Sequence, residues 1–340
     1  MSEASKGVEV PGGGAAPAGG QADGDGGGPG AGASSTAPVD ALGSAGSAGS
    51  AGSASPAASA GFGGRELAPG VPMLASAVAV ISLLVGALLV AMSLAGHAFS
   101  PWQTSGPLSP GLIGAAMLGV TPGLFAIGRA RVWEEARTLV LPLAVVLLGL
   151  LAVSLLNADK LQAAKGGSLV LVLFSLGWVA VLGLLGLSTV VCLARQYATP
   201  AAPFRERTAP LPGWSKPFLA LLGSAWCGIG AGLLAVPGFW AAFVPWDVTR
   251  PDAQALGVWA VSLGTGVLGA LAEDDLARTR PALLALPGVA VALAVVLGVR
   301  AADVDWASGP GLSLITMIGG LLLASLVGRR LLSRHPLPRP

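Results

Sequence analysis

Apolar runs of about 20 residues recur through most of this chain, and they constrain its fold more than any other feature. A helix of that length crosses the roughly 30 Å hydrocarbon layer of a bilayer. The alternating segments of about ten residues that a membrane β-barrel needs do not occur in the sequence. The chain is therefore predicted to be an all-α membrane protein with about eight transmembrane helices. The predicted spans are 72–96, 109–128, 139–157, 168–193, 218–242, 255–272, 282–299 and 311–328.

Composition agrees with this fold class. Only 11% of the 340 residues are charged, against about 25% in a soluble domain, which excludes an ordinary soluble enzyme. The second and sixth spans are short and rich in glycine, so whether they cross fully is left open. Prolines inside or at the start of spans are tolerated where neighbouring helices satisfy the freed carbonyl groups. These prolines are Pro122, Pro142, Pro237 and Pro287.

Residues 1–70 differ from the rest of the chain. They are rich in Gly, Ala and Ser, and residues 43–55 approach a three-residue repeat of these types. Such a segment buries too little apolar surface to offset the entropy of ordering its backbone. We predict a disordered, low-complexity cytoplasmic tail that lacks the features of a secretory signal. The tail is either an inert extension or a tether for a protein partner.

The basic residues predict the orientation of the spans. If both termini are cytoplasmic, 15 of the 19 Lys and Arg residues lie on the inner side, as the positive-inside rule requires. An even number of crossings in a bacterial plasma (inner) membrane follows from this distribution. The four basic residues left outside are Lys160, Lys165, Arg250 and Arg300. Tryptophans beside span ends are expected to form an aromatic belt at the lipid interface. They are Trp102, Trp133, Trp214, Trp246 and Trp306.

The two halves of the predicted bundle share a motif. Residues 99–102 read Phe-Ser-Pro-Trp, and residues 243–246 read Phe-Val-Pro-Trp. About 35 positions later each copy has acidic residues followed by Ala-Arg-Thr, at 136–138 and 277–279. We interpret this as two parallel four-helix repeats, because a unit with an even number of spans keeps its orientation when it is duplicated. The predicted domains are the tail 1–70, repeat one 71–199, repeat two 200–335 and a short C-terminal tail 336–340.

This arrangement resembles uncharacterised multi-pass membrane proteins of high-GC bacteria that have a duplicated Phe-x-Pro-Trp four-helix unit. The resemblance covers residues 71–335 loosely and 243–306 best. The first copy departs from the pattern, because Thr138 is followed by Leu139 where the second copy has Arg280 after Thr279. The resemblance implies membrane location and duplication, and it implies no activity.

Few residues suggest chemistry. The predicted spans contain no ionisable side chain, which argues against a proton-coupled transporter. The acidic cluster 273–275 and the pair 134–135 are expected at the inner surface, with Asp274 and Glu134 within helical pairing distance of Arg278 and Arg137. Cys192 and Cys227 are interpreted as small apolar fillers. Two glycine pairs, Gly119 with Gly123 and Gly228 with Gly232, are expected to let helices pack closely within the chain.

Three functions remain open. The first is a non-enzymatic scaffolding or interaction protein, with the lipid bilayer and a possible tail-bound protein as partners and no nucleic acid. The alternative is a passive or facilitated carrier for a small neutral or lipophilic molecule, which a polar-lined cavity in the bundle centre would favour. A packed centre without a cavity would favour the scaffold. The third, a lipid-linked transferase, requires Asp303 and Asp305 to converge with His97 at one outer site. We assign no catalytic, cofactor-binding or metal-binding residue, and we expect no cofactor and no enzyme activity.

Overall fold

A computed structural model describes residues 65–130, 132–198, 200 and 209–334 of the chain. Eight helices in these ranges are long and apolar enough to cross a membrane, which confirms the predicted fold class. None of the described residues forms a β-strand beyond isolated bridges. The helices are α1 (Gly70–Leu94), α2 (Leu108–Ile127), α3 (Trp133–Leu156), α4 (Leu169–Ala198), α5 (Ser215–Ala235), α6 (Arg250–Glu273), α7 (Arg280–Val299) and α8 (Gly309–Arg334).

The bundle has two ends, which we name by the loops that they carry. At the tail end the chain enters α1, and α2 leads to α3, α4 to α5 and α6 to α7. At the far end lie the four loops 95–107, 157–168, 236–249 and 300–308. The first half comprises α1 to α4, and the second half comprises α5 to α8.

The two spans that the sequence left uncertain, α2 and α6, are complete helices at the centre of the bundle. Helix α2 packs along α1 and α7, and α6 packs along α5 and α3. They have the two lowest mean hydropathies of the eight helices, yet 72% and 50% of their most apolar 18-residue stretches are buried. Because their neighbours are other helices rather than lipid, glycine and polar residues are tolerated on them. Low hydropathy here marks burial in protein.

Glycine permits the closest helix contacts at equivalent places in the two halves. A Cβ atom on Gly86 of α1 would lie 2.8 Å from the carbonyl oxygen of Gly114 on α2. A Cβ atom on Gly230 of α5 would likewise lie 2.7 Å from the carbonyl oxygen of Gly257 on α6. No side chain fits at these four positions, since Cβ atoms are not found so close to backbone oxygens. Each half therefore has a tightly joined pair of first and second helices.

The predicted glycine motifs have different outcomes. In α2, Gly119 meets the backbone of Val289 and Gly123 meets that of Pro281, both in or at the start of α7. That motif joins the two halves within one chain, as expected. In α5 the prediction is wrong, because a Cβ atom on Gly228 would face open space and Gly232 contacts only the ring of Trp240.

Helix α5 ends earlier than the sequence predicts. Its last residue is Ala235 rather than 242, because Val236 leaves helical geometry and Pro237 starts a separate short helix, Pro237–Trp240. Proline is favoured at the first position of a helix, where its missing N–H is not needed. The chain then folds Trp240 back beside α5.

Backbone contacts outside the helices also recur in the two halves. At the tail end Trp133 donates its N–H to the carbonyl of Arg65, and Leu276 donates to the carbonyl of Ala209. The corresponding residues are 143 or 144 positions apart in each case. At the far end the N–H of residue 162 binds the carbonyl of Pro101, and the N–H of residue 305 binds that of Pro245. The recurrence supports the predicted division into two four-helix units.

The predicted tail lies mostly outside the described residues, which begin at Arg65. The last few residues before α1 are held against the first half, although the sequence assigns them to the tail. Gln196 of α4, which is fully buried, accepts from the N–H of Ala68 at 2.7 Å and donates to the carbonyl of Glu66 at 3.0 Å. The described residues thus include the last six of the predicted tail, 65–70, and these contact the helical bundle.

Candidate ligand-binding cavity

The acidic cluster at the tail end joins the two halves. Helix α6 ends at Glu273, and Asp274 adopts left-handed geometry with a φ of 51°. The helix does not continue to Arg278, so Asp274 and Arg278 are not neighbours on one helix, contrary to the prediction from the sequence. Glu273 instead accepts a charged hydrogen bond from Arg137 of α3. The carboxylate of Glu273 is 5% exposed and therefore shielded from solvent, whereas the side chain of Arg137 is 36% exposed.

Other charges near this cluster are also paired. Lys216 at the start of α5 lies 2.9 Å from the carboxylate of Asp274. The guanidinium of Arg278 lies 3.4 Å from the carboxylate of Asp275. In the first half Glu134 accepts from the backbone N–H of Arg65 rather than pairing by helical spacing. These contacts give the acidic residues a structural role at the surface of the bundle.

The residues of the transferase hypothesis do not form a metal site. Asp303 is paired with Arg300 at 2.6 Å, and the backbone N–H of Asp305 is bonded to the loop that holds Pro245. Within the ranges that the structure describes, no three His, Cys, Asp or Glu residues could hold a metal ion together. Cys192 and Cys227 are both free thiols and partly buried, and the Sγ of Cys227 lies 3.9 Å from the carbonyl of Val261.

A buried carboxylate at the far end is the main polar feature that sequence reasoning missed. Asp252 in the first turn of α6 is fully buried and accepts from the indole N–H of Trp102 at 2.8 Å. It also accepts from the hydroxyls of Thr104 at 2.8 Å and Thr249 at 2.6 Å. Asp252 therefore ties the first half's far-end loop to the second half's central helix. Trp102 itself is 1% exposed, so it does not belong to an aromatic belt.

The signal for Asp252 was present in the sequence. Thr249 and Asp252 form a capping box, in which each side chain binds the other residue's backbone N–H. A Thr-x-x-acid pattern before an apolar run indicates a helix start, and Pro251 strengthens it. Because the sixth span was predicted to begin at 255, this residue was assigned to a loop.

Matching polar contacts complete the far end. Trp246, the second-copy equivalent of Trp102, donates its indole N–H to the hydroxyl of Ser109 in α2 at 3.0 Å. Each Phe-x-Pro-Trp tryptophan therefore reaches the central helix of the opposite half. Asn157 and Gln254, both buried, form a third link between the halves at 2.8 Å. These contacts fix the far-end loops as a lid over the bundle.

An apolar cavity of about 420 Å³ lies beneath this lid in the second half. Residues from α5, α6, α7, α8 and the segment 236–246 line it, with two residues of α2. We call it the second-half cavity. Among its lining residues are four tryptophans, at positions 226, 240, 246 and 259, and none is acidic, basic or a thiol. A pocket of this size and character is typical of a site for a small lipophilic ligand.

The first half contains an equivalent but smaller cavity of about 190 Å³. Two substitutions at matching positions account for part of the difference in volume. Met117 of α2 lines the smaller cavity where Ala260 of α6 lines the larger one. Trp259 of α6 reaches across into the first-half cavity, whereas the matching residue in α2, Ala116, presents only a methyl group to the second-half cavity. The second half thus has more internal space than the first.

Two indole N–H groups beside the second-half cavity stand out. Trp226 of α5 and Trp259 of α6 are each 7% exposed, and neither Nε1 atom has a hydrogen-bond partner within the described part of the chain. By contrast, Trp178 in the first half donates to the hydroxyl of Ser154 at 3.2 Å. A buried donor without a partner costs about 1–3 kcal/mol, so such groups are uncommon in folded proteins.

Together, the eight helices and this cavity define a helical multi-pass membrane protein with an apolar internal cavity. Comparisons of the chain with protein-family models, with curated proteins and with solved structures find no match.

Proposed function

We propose that this protein binds a small neutral, lipophilic molecule in the second-half cavity and has no catalytic role. The observation that carries the proposal is the volume of about 420 Å³ enclosed by apolar and aromatic side chains. The sequence-based criterion for a carrier is a polar-lined cavity at the bundle centre, whereas this cavity is apolar and lies in the second half. It supports binding of a lipophilic molecule, and it differs from the packed centre without a cavity that the scaffold predicts. The scaffold hypothesis includes a protein partner that binds the tail, and almost all residues of that tail lie outside the described ranges.

The lining supports binding rather than catalysis. The described residues around the cavity supply no acid, base or thiol that could transfer a proton or attack a substrate. A charged ligand would lose its hydration without gaining a counter-ion, so the site favours neutral molecules.

Access from the lipid is supported by the wall of the cavity. Helices α5 and α8 touch only sparsely, and both line the cavity. Phe243, Gly309 and Ser313 line the cavity and are also exposed on the outer surface of the chain. A lipophilic molecule dissolved in the bilayer would enter between α5 and α8.

A substitution that fills the cavity tests the proposal. Ala260→Met places in the second half the residue that occupies the matching position in the first. We expect it to weaken binding of 2-methylnaphthalene by about tenfold, because the added side chain takes up ligand volume, which is about 1.4 kcal/mol. Equilibrium dialysis of the purified full chain against empty detergent micelles measures the affinity.

The control is Ala294→Met on α7, since Ala294 is exposed and does not line the cavity. This variant should bind the probe as the native chain does. Binding that Ala260→Met leaves unchanged, or an equal loss in both variants, contradicts the proposed site.

The proposal includes a plasma membrane location with both termini in the cytoplasm, which the distribution of basic residues supports. Single cysteines introduced into a chain lacking Cys192 and Cys227 test the orientation. Lys160→Cys at the far end should react with a membrane-impermeant maleimide in intact cells. Arg330→Cys near the end of α8 should react only after permeabilisation. Both native side chains are exposed, so accessibility does not limit either reaction. The reverse pattern of labelling would invert the proposed orientation.

A further inference from the structure

We infer that the ligand of the second-half cavity carries a carbonyl oxygen that accepts hydrogen bonds from the indole N–H groups of Trp226 and Trp259. The ligand class is then an apolar carbonyl compound, such as a quinone, a ketone or an ester. This inference rests on the proposed function and narrows its substrate class.

The inference starts from the contrast among the buried tryptophans. Trp102, Trp178 and Trp246 all donate their indole N–H to a carboxylate or hydroxyl of a neighbouring helix or loop. The fold thus supplies acceptors for indoles elsewhere in both halves. Trp226 and Trp259 lack one within the described residues. Both belong to the wall of the larger cavity, and Trp259 lies between the two cavities and lines both. Phenylalanine would fill similar apolar space without a donor that needs a partner.

The chemistry of the wall selects the acceptor. Backbone carbonyls of α5, α6, α7 and α8 before the last turn of each helix are committed to helical hydrogen bonds, and the described lining has a single side-chain hydroxyl, that of Ser313. No Lys, Arg or His lines the cavity, so an anionic acceptor such as a carboxylate would be uncompensated there. A neutral carbonyl oxygen has two lone pairs and can accept from both indoles without introducing charge.

The position of the two donors is fixed by close helix packing. Trp226 and Trp259 lie on α5 and α6, which meet at the Gly230–Gly257 contact one turn or less away along each helix. Because that contact leaves no room for a Cβ atom, the two helices hold their tryptophans in a defined relation. Donors on rigid, closely packed helices are preorganised for an acceptor, which limits the entropy lost on binding.

Volume sets the size of the ligand. A cavity of about 150 Å³ holds one benzene molecule. The second-half cavity, at about 420 Å³, would therefore hold a molecule of two or three fused rings, or a short branched chain with a carbonyl group. Menadione, a methylated naphthoquinone, has this size and two carbonyl oxygens, and 2-methylnaphthalene has the same ring system without them.

The test compares these two probes in the purified full chain in dodecyl maltoside, a detergent without carbonyl groups. Trp226→Phe and Trp259→Phe should each weaken menadione binding by about three- to tenfold, the effect of losing one hydrogen bond. Binding of 2-methylnaphthalene should change by less than about twofold, because it makes no such bond. Equilibrium dialysis gives both affinities.

Trp246→Phe is the matched control, since Trp246 lines the same cavity but already donates to Ser109. It should affect both probes to a similar extent. If either variant fails to fold, benzothienylalanine at position 226 or 259 replaces the N–H by sulfur and preserves the ring shape. Menadione binding that is unchanged, or that falls in parallel with naphthalene binding, overturns the inference and leaves the proposed function standing. A native chain that binds neither probe overturns both.

Two sources could supply the carbonyl group, and the lipid distinguishes them. The native chain is placed in nanodiscs of diester or diether phosphatidylcholine, and menadione affinity is measured in each. Weaker binding in the diester lipid assigns the site to a lipid ester that competes with menadione. Equal binding in the two lipids assigns it to a free carbonyl compound dissolved in the membrane.

Discussion

Replacing Asp252 by alanine is expected to lower the free energy of unfolding by more than about 3 kcal/mol. The substitution leaves the indole N–H of Trp102 and the hydroxyls of Thr104 and Thr249 without their shared acceptor. The buried indole N–H of Trp102 loses its acceptor, which costs about 1–3 kcal/mol, and the capping box at the start of α6 is lost as well. The hydroxyls of Thr104 and Thr249 contribute less, because they are partly exposed and can still donate to the carbonyls of Gly106 and Gln103. Urea or thermal unfolding in detergent micelles measures the change.

Ser109→Ala provides the control for this effect. Ser109 accepts from Trp246 at the equivalent contact of the other half, but through a single hydrogen bond between neutral groups. Its removal should cost about 1 kcal/mol. Equal losses in the two variants would show that the carboxylate does not organise the far end in the way that its contacts indicate.

Adding a single methyl group at Gly119 should lower the free energy of unfolding by about as much as Asp252→Ala does. In Gly119→Ala the new Cβ atom would overlap the backbone of Val289 in α7. Backbone atoms within a helix cannot move aside as the end of a flexible side chain can. Because α2 and α7 belong to different halves, separating them also disturbs the interface at the centre of the bundle. We expect the free energy of unfolding to fall by about 3 kcal/mol or more, which is at or above the upper end of the range usually found when a core is overpacked.

Gly228→Ala makes the same chemical change where a Cβ atom meets nothing within 4 Å. Alanine is the better helix former, so this variant should be as stable as the native chain or slightly more stable. The comparison separates packing from helix propensity. A Gly119→Ala chain that unfolds at the native midpoint would contradict the close contact between α2 and α7.

Much of the fold could be predicted because membrane helices are set by local properties. A run of about 20 apolar residues must satisfy its backbone internally in lipid, which makes it a helix whatever its neighbours are. The eight spans follow from this argument alone. The ends were less predictable, as at Val236, where the geometry of one residue and the proline after it stop α5 before the apolar run ends.

The candidate site was far less predictable. Because the second and sixth predicted spans are short and rich in glycine, the sequence leaves open whether α2 and α6 cross the membrane and does not indicate that they are central. The predicted start of the sixth span at 255 excludes Asp252 from the helix. The sequence predicts Trp102 and Trp246 at the lipid interface. Only the structure shows that their indole N–H groups form hydrogen bonds between the two halves. These features depend on which helix faces which, and a single sequence does not contain that information.

The sequence by itself determined the class of fold and the number of spans, because each depends on residues close together in the chain. Only the tertiary structure decided where the space inside the bundle lies. That space is what remains between the side chains of five packed helices. Its volume depends on single residues, such as Met117 in the first half and Ala260 at the matching position in the second. The same packing decides which buried indoles find an acceptor, so the cavity and its two donors exist only in three dimensions.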